Sequence, residues 1–215
     1  MFKRSSRKFV YLLVAAGASA AVAGAYDDYF AAIQRDNPGN VRTLLEQGFD
    51  PNTPDPNGRS GYALALRADA SRVALLLASH PSFEIDGLNA AGESPLMLAA
   101  IKGEVAVSRR LVERGARINL SGWTPLHYAA SGPAAELVGL LLDRGAEVDA
   151  PSLNGTTPLM MAARYGSWEG VELLLARGAD PNRRNQLDLG PVEFAAEAGR
   201  DRFAAQLRER TRRPR

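Results

Sequence analysis

The chain has 215 residues, 46% of them apolar and 23% charged, a balance that supports a folded core and excludes wholesale disorder. It contains no cysteine, which excludes disulfides, thiol catalysis, cysteine-ligated zinc and a lipid-carrying cysteine. The formal charge of +2 hides a division: Lys3, Arg4, Arg7 and Lys8 lie in the first 25 residues, which hold no acid. The remainder carries 26 − 4 = 22 basic against 24 − 0 = 24 acidic side chains and so lacks the basic excess of a nucleic-acid binder.

The N-terminus has the three parts of a secretory signal peptide. A positive start is followed by the apolar run Phe9-Val-Tyr-Leu-Leu-Val-Ala-Ala and a softer Ala/Gly/Ser stretch. Ala23-Gly24-Ala25 supplies small residues at a cleavage site, and Tyr26-Asp27-Asp28 turns abruptly polar. The expectation is a leader over 1–25 removed before Tyr26, of bacterial character, with the periplasm as destination. The alternatives are secretion, or a membrane anchor if the leader stays attached. The run from Phe9 to Ala25 is short for a stable span, so no lasting membrane insertion is expected after cleavage.

Downstream, a motif recurs. Glu93-Ser-Pro-Leu-Met-Leu-Ala-Ala100 returns as Trp123-Thr-Pro-Leu-His-Tyr-Ala-Ala130 and as Thr156-Thr-Pro-Leu-Met-Met-Ala-Ala163, with a worn copy at Gly190-Pro-Val-Glu-Phe-Ala-Ala196. The prolines at 95, 125, 158 and 191 give steps of 30, 33 and 33, and one further step of 33 upstream lands on Tyr62. A second series reads Leu44-Leu-Glu-Gln-Gly48, Leu111-Val-Glu-Arg-Gly-Ala116, Leu141-Leu-Asp-Arg-Gly-Ala146 and Leu174-Leu-Ala-Arg-Gly-Ala179. Both series place a three-residue deletion in the connector between Gly115 and Pro125.

Each unit reads as helix, tight turn, helix, extended loop. Thr124 and Thr157 cap the first helices, and Pro125 and Pro158 occupy the first helical position, where a missing N–H costs nothing. Leu126 and Leu159 start the apolar face. The paired alanines allow a neighbouring helix to come close, and the glycine after Arg177 ends the second helix in a left-handed turn. No such pair buries its apolar face alone, so the pairs stack.

These motifs resemble the ankyrin repeat family over roughly 26–207. The resemblance implies an all-α solenoid of stacked antiparallel helix pairs joined by hairpin-like loops. Six units are expected, at about 26–57, 58–90, 91–120, 121–153, 154–186 and 187–211, with a basic tail at 212–215. The first, second and last are degenerate. Unit two lacks the threonine-proline opening and has His80-Pro81-Ser82-Phe83 where Gly-Ala should end its second helix. The short loop over Asn119–Trp123 withdraws one hairpin, either by drift or as a notch for part of a partner.

No catalytic residue, metal-ligand set or cofactor is assigned. His127, as the resemblance implies, ties Thr124 to the backbone within and between repeats. Asp50, Asp86, Asp149 and Asp180 recur near one loop position and read as turn-formers. Met97, Met160 and Met161 read as core or semi-core fillers, and Trp168 as a staple of the turn between paired helices.

The family binds partners with hairpin tips and the exposed side of first helices. Carried to this chain, those positions are Leu88, Asn89, Leu120, Ser152, Leu153, Arg183 and Arg184 on the loops, and Ile101, Lys102, Arg164 and Tyr165 on the helices. Trp123, beside the shortened loop, and Tyr165 form an aromatic hot-spot candidate. The expected function is an exported protein–protein interaction module, monomeric by itself, that binds or stabilises another exported protein. Some signal-bearing bacterial relatives are associated with oxidative-stress defence, including support of catalase. Two alternatives stand beside it: an immunity or inhibitor protein masking an exported toxin or enzyme, and a small-ligand or metal-binding protein.

Overall fold

A computed structural model describes residues 20–211; the first 19 residues of the expected leader and the basic tail 212–215 lie outside the described residues. The described residues form twelve α-helices and no strand beyond one isolated bridge between Pro54 and Ser60. The fold is all-α and built from helix pairs, as expected. None of these helices is long and apolar enough to cross a membrane. The chain divides after Phe83 into two compact units.

The first unit holds α1 (Ala20–Gln34), α2 (Pro38–Glu46), α3 (Gly61–Arg67) and α4 (Ser71–Ser79). The helix α1 runs unbroken through Ala23, Ala25 and Tyr26, so the expected cleavage site lies inside a helix. Tyr29 and Ile33 of α1 are fully buried, and the Tyr29 hydroxyl donates to the Pro51 carbonyl at 3.1 Å. These two side chains explain the degenerate second repeat. A Cβ at Gly61 would lie 2.5 Å from the Tyr29 hydroxyl oxygen and 2.9 Å from Ile33, leaving no room for the proline found in other copies. Ser60 still caps α3, its hydroxyl accepting from the Ala63 N–H at 3.2 Å. At the other end of the pair, Phe83 replaces the usual alanine and packs its ring 5.1 Å from Tyr62. Gly61, not Tyr62, therefore occupies the proline position, and the step to Pro95 is 95 − 61 = 34 residues.

The second unit holds α5 (Pro95–Lys102), α6 (Val105–Glu113), α7 (Pro125–Ser131), α8 (Ala135–Asp143), α9 (Pro158–Tyr165), α10 (Trp168–Ala176), α11 (Pro191–Glu197) and α12 (Asp201–Thr211). The helices α5, α7, α9 and α11 stack in one row, and α6, α8 and α10 in another. The first row is the closer-packed because its interfaces carry Ala99, Ala100, Ala129, Ala130, Ala162, Ala163 and Ala195, all buried. Glycine extends the close approach: a Cβ at Gly166 would sit 2.1 Å from the Ala130 carbonyl oxygen. The second helices bury Val107, Leu111, Leu137, Leu141, Val171 and Leu174. They end, as expected, at Gly115, Gly145 and Gly178 with φ of 88°, 86° and 92°. The N–H of the following alanine then reaches back to Leu111, Leu141 or Leu174 and satisfies a terminal carbonyl.

Trp168 differs from its expected role. It is the first residue of α10, and its ring meets Phe203 of α12 edge-on at 5.1 Å. It therefore joins two successive pairs rather than stapling its own turn. Arg200 reinforces that junction: its guanidinium donates to the carbonyls of Ala162, Ala163 and Gly166 and covers the Phe203 ring at 3.7 Å.

Candidate protein-binding edge

The loops ahead of first helices share one construction. Asn89, Ser152 and Asn185 each donate their backbone N–H to a carbonyl four residues on, at Glu93, Thr156 and Leu189. A residue with positive φ follows in each loop: Gly92 (79°), Gly155 (79°) and Asp188 (58°). Between these anchor points two residues project, Ala90-Ala91, Leu153-Asn154 and Gln186-Leu187. The shortened loop keeps the positive φ at Gly122 (84°) but loses the anchored turn. Successive tips touch: the Gln186 N–H donates to the Asn154 carbonyl at 2.9 Å and its side chain to the Leu153 carbonyl at 3.1 Å. A Cβ at Gly122 would be in contact with Leu153 at 3.5 Å.

A buried polar clip fixes Trp123. His127 accepts at Nδ1 from the Thr124 N–H at 3.2 Å and from the Thr124 hydroxyl at 2.9 Å. Its Nε2 lies 3.0 Å from the Thr156 carbonyl, which can only accept, so Nε2 carries the proton. Burial pushes the imidazole down to about 4, against the opposing pull of carbonyls at Thr156 and Ala150, and the ring is neutral at pH 7. The structural role expected of His127 is the one the geometry provides. The same position holds Met97, Met160 and Glu193, whose side chains accept the N–H of Ser94, Thr157 and Gly190 at 3.4, 3.4 and 2.9 Å. The two methionines are core residues, as expected, but they also do part of the histidine's work. Thr157 caps α9 through its hydroxyl, whereas the Thr124 hydroxyl turns to His127 instead.

The proposed contact residues fall into distinct environments. Leu88, Ile101, Trp123, Leu153 and Tyr165 are exposed large apolar side chains, with Leu153 at 81% and Tyr165 at 59%. Asn89 and Lys102 are exposed, and Leu120 is half-buried. The Asn89 side chain is committed to its own turn, accepting from the N–H groups of Ala91 and Glu93. Ser152 departs from expectation: it is only 5% exposed, and its hydroxyl accepts from the Thr156 N–H and donates to Asn154. It builds the turn, and a partner meets Leu153 instead. Arg164 is half-buried and engaged, donating to the Tyr165 hydroxyl at 2.9 Å and to Glu197 at 3.0 Å. Arg183 and Arg184 are exposed but line a separate cleft beside α12.

The four aspartates occupy two positions, not one. Asp86 and Asp149 accept the backbone N–H of Arg117 and Asp180 in the next repeat, and Asn119 does the same for Glu147. Asp50 and Asp180 close local turns on Asn52 and Asn182. Sequence reasoning missed Leu187, 70% exposed at the last tip, because the degenerate loop obscured its register with Asn154. It also missed the Tyr128 hydroxyl, which donates to Glu93 at 3.0 Å; burial, then Glu93, raises that phenol to about 12 and keeps it protonated. Among the described residues no group of three histidine, aspartate or glutamate side chains is placed to hold a metal ion.

A family model described as ankyrin repeats in three copies matches residues 29–121 and 118–185. The chain is 31% identical over 112 residues to Neurogenic locus notch homolog protein 1 of Xenopus tropicalis, covering 51% of this chain and 4% of that protein. It is 34% identical over 108 residues to Ankyrin repeat and SAM domain-containing protein 6 of Rattus norvegicus, covering 48% and 12%. It is 43% identical over 63 residues to human Neurogenic locus notch homolog protein 4, covering 29% and 3%. The chain thus spans a small part of each of these relatives. With the repeat period, the capped Thr-Pro helices and a family match over most of its length, the chain belongs to the ankyrin repeat family.

Proposed function

We propose that this chain is an exported adaptor that binds or stabilises another exported protein through the apolar edge of its second unit. Ankyrin repeats are protein–protein interaction modules and typically non-catalytic scaffolds. The observation that carries the reading is the distribution of exposed apolar side chains. Leu88, Ile101, Trp123, Leu153, Tyr165 and Leu187 all lie on loops or in the last turns of first helices, and none on a second helix. Two charges along that edge are paired, Arg164 with Glu197 and Glu93 with the Tyr128 hydroxyl, while Lys102 is exposed. The edge therefore suits an apolar partner surface. Export is supported by the leader pattern of residues 1–25. The oxidative-stress connection is supported by resemblance alone, and peroxide sensitivity of a deletion strain tests it.

The decisive experiment is in-cell crosslinking followed by capture of the chain with its neighbours, comparing wild type with Leu153→Ala and Tyr165→Ala. Burying one such side chain contributes roughly 1.5–3 kcal/mol. Each variant should therefore weaken capture of a dedicated partner by about tenfold or more while leaving the helical spectrum unchanged. A partner retained equally by both folded variants would sink the proposed edge. Osmotic-shock fractionation tests the compartment, and recovery of the chain with cytoplasmic markers would remove the exported part of the reading.

A further inference from the structure

Between the loop ahead of α11 and the end of α12 lies a cleft of about 270 Å3, lined in part by Asn182, Arg183, Arg184, Gly190, Glu193 and Arg208. Three arginines and one glutamate are among its lining residues, a net of two positive charges in the lining. Arg184 is held in place, donating to the Asp188 carbonyl and lying 3.7 Å from the carboxylates of Glu193 and Asp188. Asp188 touches it from outside the lining, where its side chain is 88% exposed and solvent screens its charge. Arg183 and Arg208 have no carboxylate partner among the described residues. Glu193 is itself engaged, accepting the Gly190 N–H at 2.9 Å. Gly190 keeps the floor open, since a Cβ there would crowd the Arg183 carbonyl oxygen and Glu193, both at 3.1 Å.

We propose that this cleft binds a compact dianionic oxyanion of the phosphate class, independently of the apolar edge. Arginine presents its donors as a planar fork that matches phosphate oxygens two at a time. Arg183 and Arg208, without carboxylate partners among the described residues, line the same cleft as Arg184, which Glu193 orients. A dianion matches the excess charge, and the exposed mouth suits a small group rather than an extended polymer.

The test is isothermal titration of the full chain with inorganic phosphate at constant ionic strength, beside the Arg183→Ala/Arg208→Ala double variant and a remote Arg144→Ala control. The expected result is saturable one-site binding that weakens roughly tenfold or more in the double variant, the size of effect that loss of charge-assisted hydrogen bonds brings. Arg144→Ala should bind like wild type. Absence of saturation, or equal weakening in the control, overturns the proposal. Vesicles containing phosphatidic acid separate the sources. Vesicles that compete with phosphate identify a lipid headgroup, whereas vesicles that do not compete identify a soluble phosphate or phosphorylated metabolite.

Discussion

Replacing His127 tests how the repeat is clipped together. Folded, its pKa lies at about 4, against 6.5 for a free imidazole. Because the folded value is the lower, the full stability is present above pH 6.5. Below it the unfolded chain takes up a proton that the folded chain refuses until about pH 4. Between pH 7 and pH 5 this single group should remove about 2 kcal/mol of folding stability. His127→Met keeps the acceptor for the Thr124 N–H, as Met97 and Met160 do at the same position, but loses the donor to Thr156. At pH 7 it should cost roughly 0.5–1.5 kcal/mol, the net worth of one hydrogen bond, because the Thr156 carbonyl keeps the Ser152 N–H. His127→Ala also strands the Thr124 N–H and leaves a void, and should cost roughly 3–5 kcal/mol. Urea unfolding followed by circular dichroism at pH 7 and pH 5 reads all of this. On going to pH 5 the difference between wild type and His127→Met should move by about 2 kcal/mol in the variant's favour. His80 is present in both chains and cancels. Parallel pH profiles, or a methionine variant as damaged as the alanine variant, would refute the neutral, doubly bonded histidine.

Four other substitutions follow from packing. Gly166→Ala should destabilise by about 2 kcal/mol or more, because its Cβ meets a carbonyl at 2.1 Å, whereas Gly139→Ala inside α8, with nothing within 4 Å, should stabilise by about 0.5–1 kcal/mol. Thermal midpoints moving in the same direction would contradict the close-approach argument. Ser108 has a buried hydroxyl with no hydrogen-bond partner among the described residues, so Ser108→Ala should raise stability by about 1 kcal/mol, read as a higher urea midpoint. Arg200→Ala should release the last helix pair by about 2 kcal/mol, detected as faster amide exchange in α12 with α6 and α8 unchanged.

The repeat was legible wherever local chemistry and tertiary packing agree. Thr-Pro at a helix start, Ala-Ala at a close interface and Gly at a left-handed end each have one physical cause, and each stands in its expected place. Legibility failed where a neighbour dictates the residue. Gly61 replaces proline because Tyr29, 32 positions earlier, fills its space, and no local pattern carries that information. Loop tips show the finer limit. Period alone placed Leu153 and Ser152 side by side, but only the turn's hydrogen bonds reveal that one projects and the other is buried. Arg183 and Arg184, read from the period as tip residues, stand before the Asn185 anchor and line a cleft with Arg208 because α12 ends beside their loop.

Cleavage after Ala25 can be tested against the fold itself. The helix α1 has 15 residues from Ala20, and removing everything before Tyr26 would leave nine, the length of α2, α4, α6, α8 and α10. The retained segment includes Tyr26, whose hydroxyl donates to Pro54, together with Tyr29, Ala32 and Ile33, which supply the buried face. Gly24, on the removed side, is exposed, and a Cβ there would touch nothing within 4 Å. The core contacts described for α1 thus lie within the proposed mature chain. A chain of residues 26–215 should match the full chain within about 0.5 kcal/mol by urea unfolding, as substitutions remote from buried features do. A loss of several kcal/mol on truncation would mean that α1 needs its N-terminal turns, and would count against cleavage at this site.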